Sequence, residues 1–213
     1  MSRRAGSADW ASASRRGRSN GAGPAAGTAA LRDTIPAMKK ALLVISLFVF
    51  AACAHTRQPM GMAMLHPAGS QTARGMVHFQ DAGDQGVEVK ADLVGVPPGV
   101  HGFHVHEKGD CGNNGQNAGG HFNPSGMIHG APDAASHHAG DFGNVTADEK
   151  GEVHTTFTTH SISLKQGQSD YVIGHAVVLH GNADDLTSQP AGNAGPRIAC
   201  GVIEVMAGNM QHP

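Results

Sequence analysis

Aromatic side chains are scarce in this chain of 213 residues: one Trp, one Tyr and seven Phe make up 4% of it. A core without large rings must rest on Val, Ile, Leu and Met, and a small core of that kind leaves room for cross-links and metals to contribute stability. Long apolar runs are also missing. The longest, mostly apolar from Ala41 to Phe50, is too short to span a bilayer. Basic residues thin out along the chain. From Cys53 onward there are seven Lys+Arg against 15 Asp+Glu, a balance of 7 − 15 = −8 with His neutral, although the whole chain sums to −2. Such an acidic surface argues against a nucleic-acid partner. Beyond the first 53 residues no stretch carries helical periodicity.

Histidine, in contrast, is abundant and clustered. Seven of the 15 fall between His101 and Asp141. His104 and His106 stand two apart in GFHVH, and in a β-strand such positions share a face, so both imidazoles can converge on one ion. His121, His129, His138 and Asp141 follow in a Gly/Pro/Asn-rich loop able to wrap side chains around a second centre. Three imidazoles and one carboxylate suit tetrahedral zinc. His180 ends another apolar run, YVIGHAVVLH, and is placed to complete the first centre, where ligation by histidine without thiolate suits copper.

The segments GFHVHEKGDC, AGGHFNP, HAGDFGNVTAD and GNAGPRIACGVIE, with the intervals between their histidines, closely resemble the copper/zinc superoxide dismutases over roughly residues 62–206. The resemblance implies copper at His104, His106, His121 and His180. It implies zinc at His121, His129, His138 and Asp141, with His121 as the imidazolate bridging both. Asp184 matches the family's carboxylate that links a copper-ligating to a zinc-ligating histidine, here His104 and His129, with neighbouring Asp185 as a competitor or a solvated residue. Arg197 matches the anion-guiding arginine. Against animal members the loop 181–197 is several residues shorter and lacks their Lys and Glu cluster, so long-range substrate steering does not carry over. The activity implied is dismutation of the superoxide anion to dioxygen and hydrogen peroxide, with His121 and Arg197 taking part in catalysis. A copper carrier would use the same histidines, but silent relatives are expected to lack a ligand or the arginine. A zinc hydrolase is disfavoured because no Glu or Asp stands as a general base beside an open zinc position.

The chain before this region divides in two. Residues 1–37 carry six Arg against two Asp in an Ala/Gly/Ser-rich background, so no periodic apolar face can form and an unstructured leader is expected. MKKALLVISLFVFAAC, residues 38–53, has the charged start, apolar centre and small-residue end of a secretory signal. Translation is therefore expected to begin at Met38, with a genuine long leader as the alternative. Ala51-Ala52-Cys53 fits a lipoprotein processing box with Phe50 where Leu is preferred, so Cys53 is a lipidation candidate, and ordinary cleavage near Ala52 or Ala54 stays open. Residues 54–213 form the expected dismutase domain, exported to a periplasm and there a homodimer or a monomer.

Three cysteines in an exported chain leave one over. With Cys53 at the signal boundary, Cys111 and Cys200 remain to pair, as the resembling family also pairs them. Cys111 falls only five residues after His106, as in the bacterial branch.

The remaining pattern is strand after strand. In VEVKADLVGV, Val87, Val89, Ala91 and Leu93 alternate with Glu88, Lys90 and Asp92, one side buried and one wet. Met60, Met62 and Met64 alternate before His66, which predicts a half-buried first strand in preference to a thioether site for copper(I). About eight short strands separated by turns predict an all-β, antiparallel Greek-key barrel or sandwich with long metal-binding and rim loops. His78 and His101 read as ordinary strand or turn residues, and His137, His154, His160 and His175 as surface or satisfied core residues.

Overall fold

Wherever apolar and polar residues alternate, the chain forms a strand. The computed structural model describes residues 59–206, so the leader, the secretory segment and Cys53 lie outside the described residues. The strands are β1 (Met60–Pro67), β2 (Arg74–Asp81), β3 (Val87–Val94), β4 (Gly99–His106), β5 (Asp141–Ala147), β6 (Val153–Thr159), β7 (Ala176–His180) and β8 (Arg197–Val205). Only two three-residue 3-10 turns, Gly83–Gln85 and Gln116–Ala118, interrupt the all-β architecture among the described residues.

All pairings are antiparallel, in the order β5-β4-β7-β8-β1-β2-β3-β6. Strands β5 and β6 meet at the seam, which nearly closes the barrel. The neighbours β4-β7 and β8-β1 are far apart in sequence, as crossing Greek-key connections require. The interior holds Leu65, Val77, Phe79, Val89, Leu93, Phe103, Val105, Val153, Leu179 and Ile203, all buried.

Strands β1 to β3 alternate between buried and exposed residues, whereas β7 and most of β4 are buried on both faces. On β4, Phe103 and Val105 enter the barrel while His104 and His106 point outward beneath the loops. On β7, Val177 and Leu179 enter the barrel, and Ala176 and Val178 pack outward against Ala118 and Cys200. A disulfide between Cys111 and Cys200, 89 residues apart, clamps the loop after β4 onto β8.

The first strand is half-buried, as its period implies, but Gly61, Ala63 and Leu65 are the residues that face inward. The methionines lie on the outer face. Crowding explains the choice: a Cβ on Gly61 would stand 3.0 Å from Ile173 Cδ1 and 3.2 Å from Ile203 Cγ2, leaving no room there for methionine. β7 begins at Ala176, five residues later than the apolar run starting at Tyr171 suggests.

Candidate metal centre

Strand β4 presents His104 and His106 on its outer face, and β7 ends on His180 beside them, paired through Phe103–His106 with Ala176–Leu179. His121 forms an isolated antiparallel bridge with His106 and so reaches the same place from the loop. Gly102 permits this closeness, since a Cβ there would stand 2.8 Å from Ala194 Cβ and 3.1 Å from His104 Cε1.

Two donor groups result. His104, His106, His121 and His180 form one, and His121, His129, His138 and Asp141 the other; within each, the available donor atoms lie within 4.8 Å of one another, and every residue is buried. His121 belongs to both. Its Nδ1 lies 2.7 Å from Asp141 Oδ1, and its Nε2 is buried without a hydrogen-bond partner. His138 Nδ1 stands 3.2 Å and His129 Nδ1 3.1 Å from the Asp141 carboxylate.

The outer ring nitrogens fix which atoms face inward. His106 Nδ1 donates to Gly119 O at 3.0 Å and His180 Nδ1 to Gly195 O at 3.3 Å. Carbonyls only accept, so each of these rings carries its proton on Nδ1 and offers Nε2 as a lone pair. The two Nε2 atoms lie 3.2 Å apart. Asp184 accepts from His104 Nε2 at 2.8 Å and from His129 Nε2 at 3.0 Å, which leaves Nδ1 of both rings as the free donor. Four inward nitrogens, His104 Nδ1, His121 Nε2, His129 Nδ1 and His138 Nδ1, are buried with no hydrogen-bond partner. Orphaned lone pairs of this kind are costly unless an ion takes them. The residues therefore fit copper at the all-histidine group and zinc at the group containing the carboxylate.

Electrostatics favour the same state. Burial, reinforced by neighbouring histidines, lowers His104 to about 4 and His180 to about 3, and sets His106 well below its usual range. These rings are neutral near pH 7 and able to ligate. Burial acts to raise Asp141, but bonds from His121 and from the backbone N–H groups of His138 and Gly130 overcome it and hold the carboxyl well below the usual range. Asp184 likewise stays ionised despite burial because His104, the Leu186 N–H and His129 donate to it. Gly192 makes room for that carboxylate: at φ 62°, a Cβ there would stand 2.7 Å from His129 Nε2.

Arg197, opposite His180 across the β7–β8 ladder, donates from Nη1 to Gly115 O and from Nη2 to Gly119 O. Asp185 is exposed and builds a turn by accepting from the N–H groups of Thr187 and Ser188 and from Asn193 Nδ2. It does not touch the site histidines.

Three further residues hold the site and left no mark in the sequence. His101 is a buried strap, with Nδ1 2.9 Å from His180 O and Nε2 2.7 Å from Pro97 O, rather than an ordinary strand histidine. Asn144 exchanges two bonds with the Asp184 backbone, at 2.7 and 2.9 Å. Gln189 does the same for the His129 backbone, at 2.8 and 2.9 Å. Of the other histidines, His154 is exposed and paired with Asp92, His160 is exposed, and His137 donates to His138 O. His175 packs against Phe122 with the rings tilted and their centres 4.3 Å apart, and its Nδ1 lacks a partner.

A Greek-key barrel that carries an all-histidine group and a zinc-type group joined through one imidazole defines a two-metal oxidoreductase. Residues 73–203 match the family model "Copper/zinc superoxide dismutase (SODC)". An extracellular superoxide dismutase [Cu-Zn] of Haemonchus contortus is 45% identical over 126 residues, which cover 56% of this chain and 68% of that protein. A solved structure, "Crystal Structure Analysis of the clock protein EA4", is 40% identical with a TM-score of 0.63, covering 71% of this chain and 97% of that one. The chain belongs to the copper/zinc superoxide dismutase family. Its reaction is dismutation of superoxide to dioxygen and hydrogen peroxide, with copper and zinc as cofactors.

Proposed function

We propose that His104, His106, His121 and His180 hold the copper and that His121, His129, His138 and Asp141 hold the zinc. The observation that carries this assignment is the place of His121 between the two donor groups, with one ring nitrogen directed into each. When bound, copper supplies the electron exchange, taking one electron from a first superoxide and returning it to a second, while zinc, which has no redox chemistry, fixes the loop.

The chain's own residues do the rest. Neutral His104, His106 and His180 offer lone pairs whose directions Asp184, Gly119 O and Gly195 O dictate. Arg197 supplies fixed positive charge beside His180, and this draws the anion in and holds it. Two protons must reach the peroxide product with the second electron. The His121 ring belongs to both groups, and its Nε2, directed into the all-histidine group, is the atom placed to hold one of these protons.

The same reading makes the protein an exported member of the bacterial branch, secreted through residues 38–53 into a periplasm and anchored by a lipid on Cys53. It is supported by the signal-like segment, by the Cys111–Cys200 disulfide that an oxidising compartment allows, and by the five-residue step from His106 to Cys111.

Elemental analysis together with pulse measurement of superoxide decay tests the assignment. The mature protein should hold about one copper and one zinc; His121→Ala should disturb both centres and His180→Ala chiefly copper. Zinc alone in a copper-replete preparation would overturn it. Mass spectrometry of the mature N-terminus tests export: a diacylglyceryl Cys53 is expected, an unmodified Ala54 or His55 would remove the anchor, and retention of residues 1–37 would remove both anchor and signal.

A further inference from the structure

The outer face of β1 and β2 carries soft metal donors that the dismutation centre does not use. We propose that Met62, Met64, Met76 and His78 form a copper(I)-binding site there, separate from the dismutation centre. In the β1–β2 register Met62 lies opposite His78 and Met64 opposite Met76. Directly paired residues have Cβ atoms about 5 Å apart, and neighbours two apart along a strand are about 7 Å apart. The four side chains therefore stand at the corners of a small rectangle on one face, and flexible methionine arms can draw three thioethers and one imidazole together over it.

Three observations favour an ion over plain surface. Met64 is 51% exposed and Met76 40% exposed, so neither thioether fills the core; the inward positions of β1 belong to Gly61, Ala63 and Leu65. Beside the rectangle, an open groove of about 520 Å³ is lined by Met62, Met64, His66 and Glu204 and leaves the Met62 and Met64 sulfurs approachable. Two cations lie on this face, Lys90 across from His78 and paired with Asp92 at 3.0 Å, and Arg74 two residues before Met76, and they are offset by Asp92 opposite Met76 and Glu204 opposite Met62. Neutral thioethers with one imidazole select copper(I) over zinc and over copper(II), which prefer harder donors. The dismutation histidines lie on β4, β7 and their loops, with β8 between β7 and β1 in the sheet order, so the two sites share no residue.

The test uses the full protein already loaded with copper and zinc, reduced under anaerobic conditions and titrated with copper(I) against a chromogenic copper(I) chelator. One further copper(I) per chain is expected, with sulfur neighbours in its X-ray absorption spectrum. No additional copper, or additional copper with only nitrogen and oxygen neighbours, would overturn the proposal. The Met64→Leu/Met76→Leu variant keeps size and apolarity on an exposed face. It should weaken the extra site by roughly tenfold or more while superoxide decay and the copper and zinc of the centre stay unchanged. Wild-type affinity for the extra copper in that variant would place the ion elsewhere and overturn the assignment.

Discussion

His106 and Arg197 donate to the same acceptor: His106 Nδ1 and Arg197 Nη2 both reach the carbonyl oxygen of Gly119. One peptide group thus sets the direction of a copper-site imidazole and the position of the cation beside it. Arg197 is also the sole Lys or Arg in the 48 residues from Gln166 to Pro213. In a protein of net charge −8 from Cys53 onward, most of the positive potential for the incoming anion must come from this guanidinium and the bound metals.

Arg197→Glu should therefore slow superoxide decay by on the order of tenfold or more, and Arg197→Lys much less, with metal content unchanged in both. Added salt should affect the wild type only modestly, because the charge acts well inside the ~8 Å screening length at physiological ionic strength. Decay rates against ionic strength for the three proteins check this, and an unchanged rate in the Glu variant would remove Arg197 from the reaction.

The Asp184 carboxylate touches both donor groups from outside, through His104 and His129. Asp184→Asn keeps one acceptor oxygen and replaces the other with a donor, so one of the two rings loses its orientation. Affinity for copper, zinc or both should fall by roughly 10–100-fold in competition titrations. Asp185→Asn is the control: that side chain serves only its own turn and should leave both affinities intact.

Part of the donor set was legible in the sequence because its logic is local, and the family resemblance supplied the rest. The i, i+2 spacing of His104 and His106 specifies a shared strand face whatever surrounds it, and β3 announces its buried side by alternation. What escaped depends on partners remote in sequence. His101 is a strap because the His180 carbonyl, 79 residues away, falls at its Nδ1, and a backbone acceptor leaves no trace in residue identity. Asn144 and Gln189 are hidden for the same reason. For β1 the period showed that two faces differ, but which one enters the barrel was decided by Ile173 and Ile203 crowding Gly61.

Protonation should undo the metal-free fold in a defined window. Burial lowers His104 from 6.5 to about 4 and His180 to about 3. Between those values and 6.5 the unfolded chain takes up protons that the folded chain refuses, so stability rises with pH there. The contribution is complete above about 6.5 and is lost progressively as pH falls toward 4 and then 3. Asp141 and Asp184, also lowered, add losses of the same sign in more acid solution. Thermal midpoints of metal-free protein should fall steadily from pH 7 to pH 4, and a flat profile would contradict neutral burial of these rings.

The Cys111–Cys200 disulfide joins stability to the reaction through the loop it clamps. Closing 89 residues restricts the unfolded chain by about 4.6 kcal/mol on the loop-entropy model. In the folded chain it also fixes the segment that presents Gly115 O and Gly119 O to Arg197. Reduction, or Cys111→Ser/Cys200→Ser, should lower the thermal midpoint and slow superoxide decay together, since both His106 and Arg197 lose a fixed acceptor. A variant that is less stable yet turns over at the wild-type rate with full metal content would show that the disulfide serves the fold alone, and that Gly119 O keeps its place through the Lys108–Ala118 and Glu107–Gly120 backbone bonds.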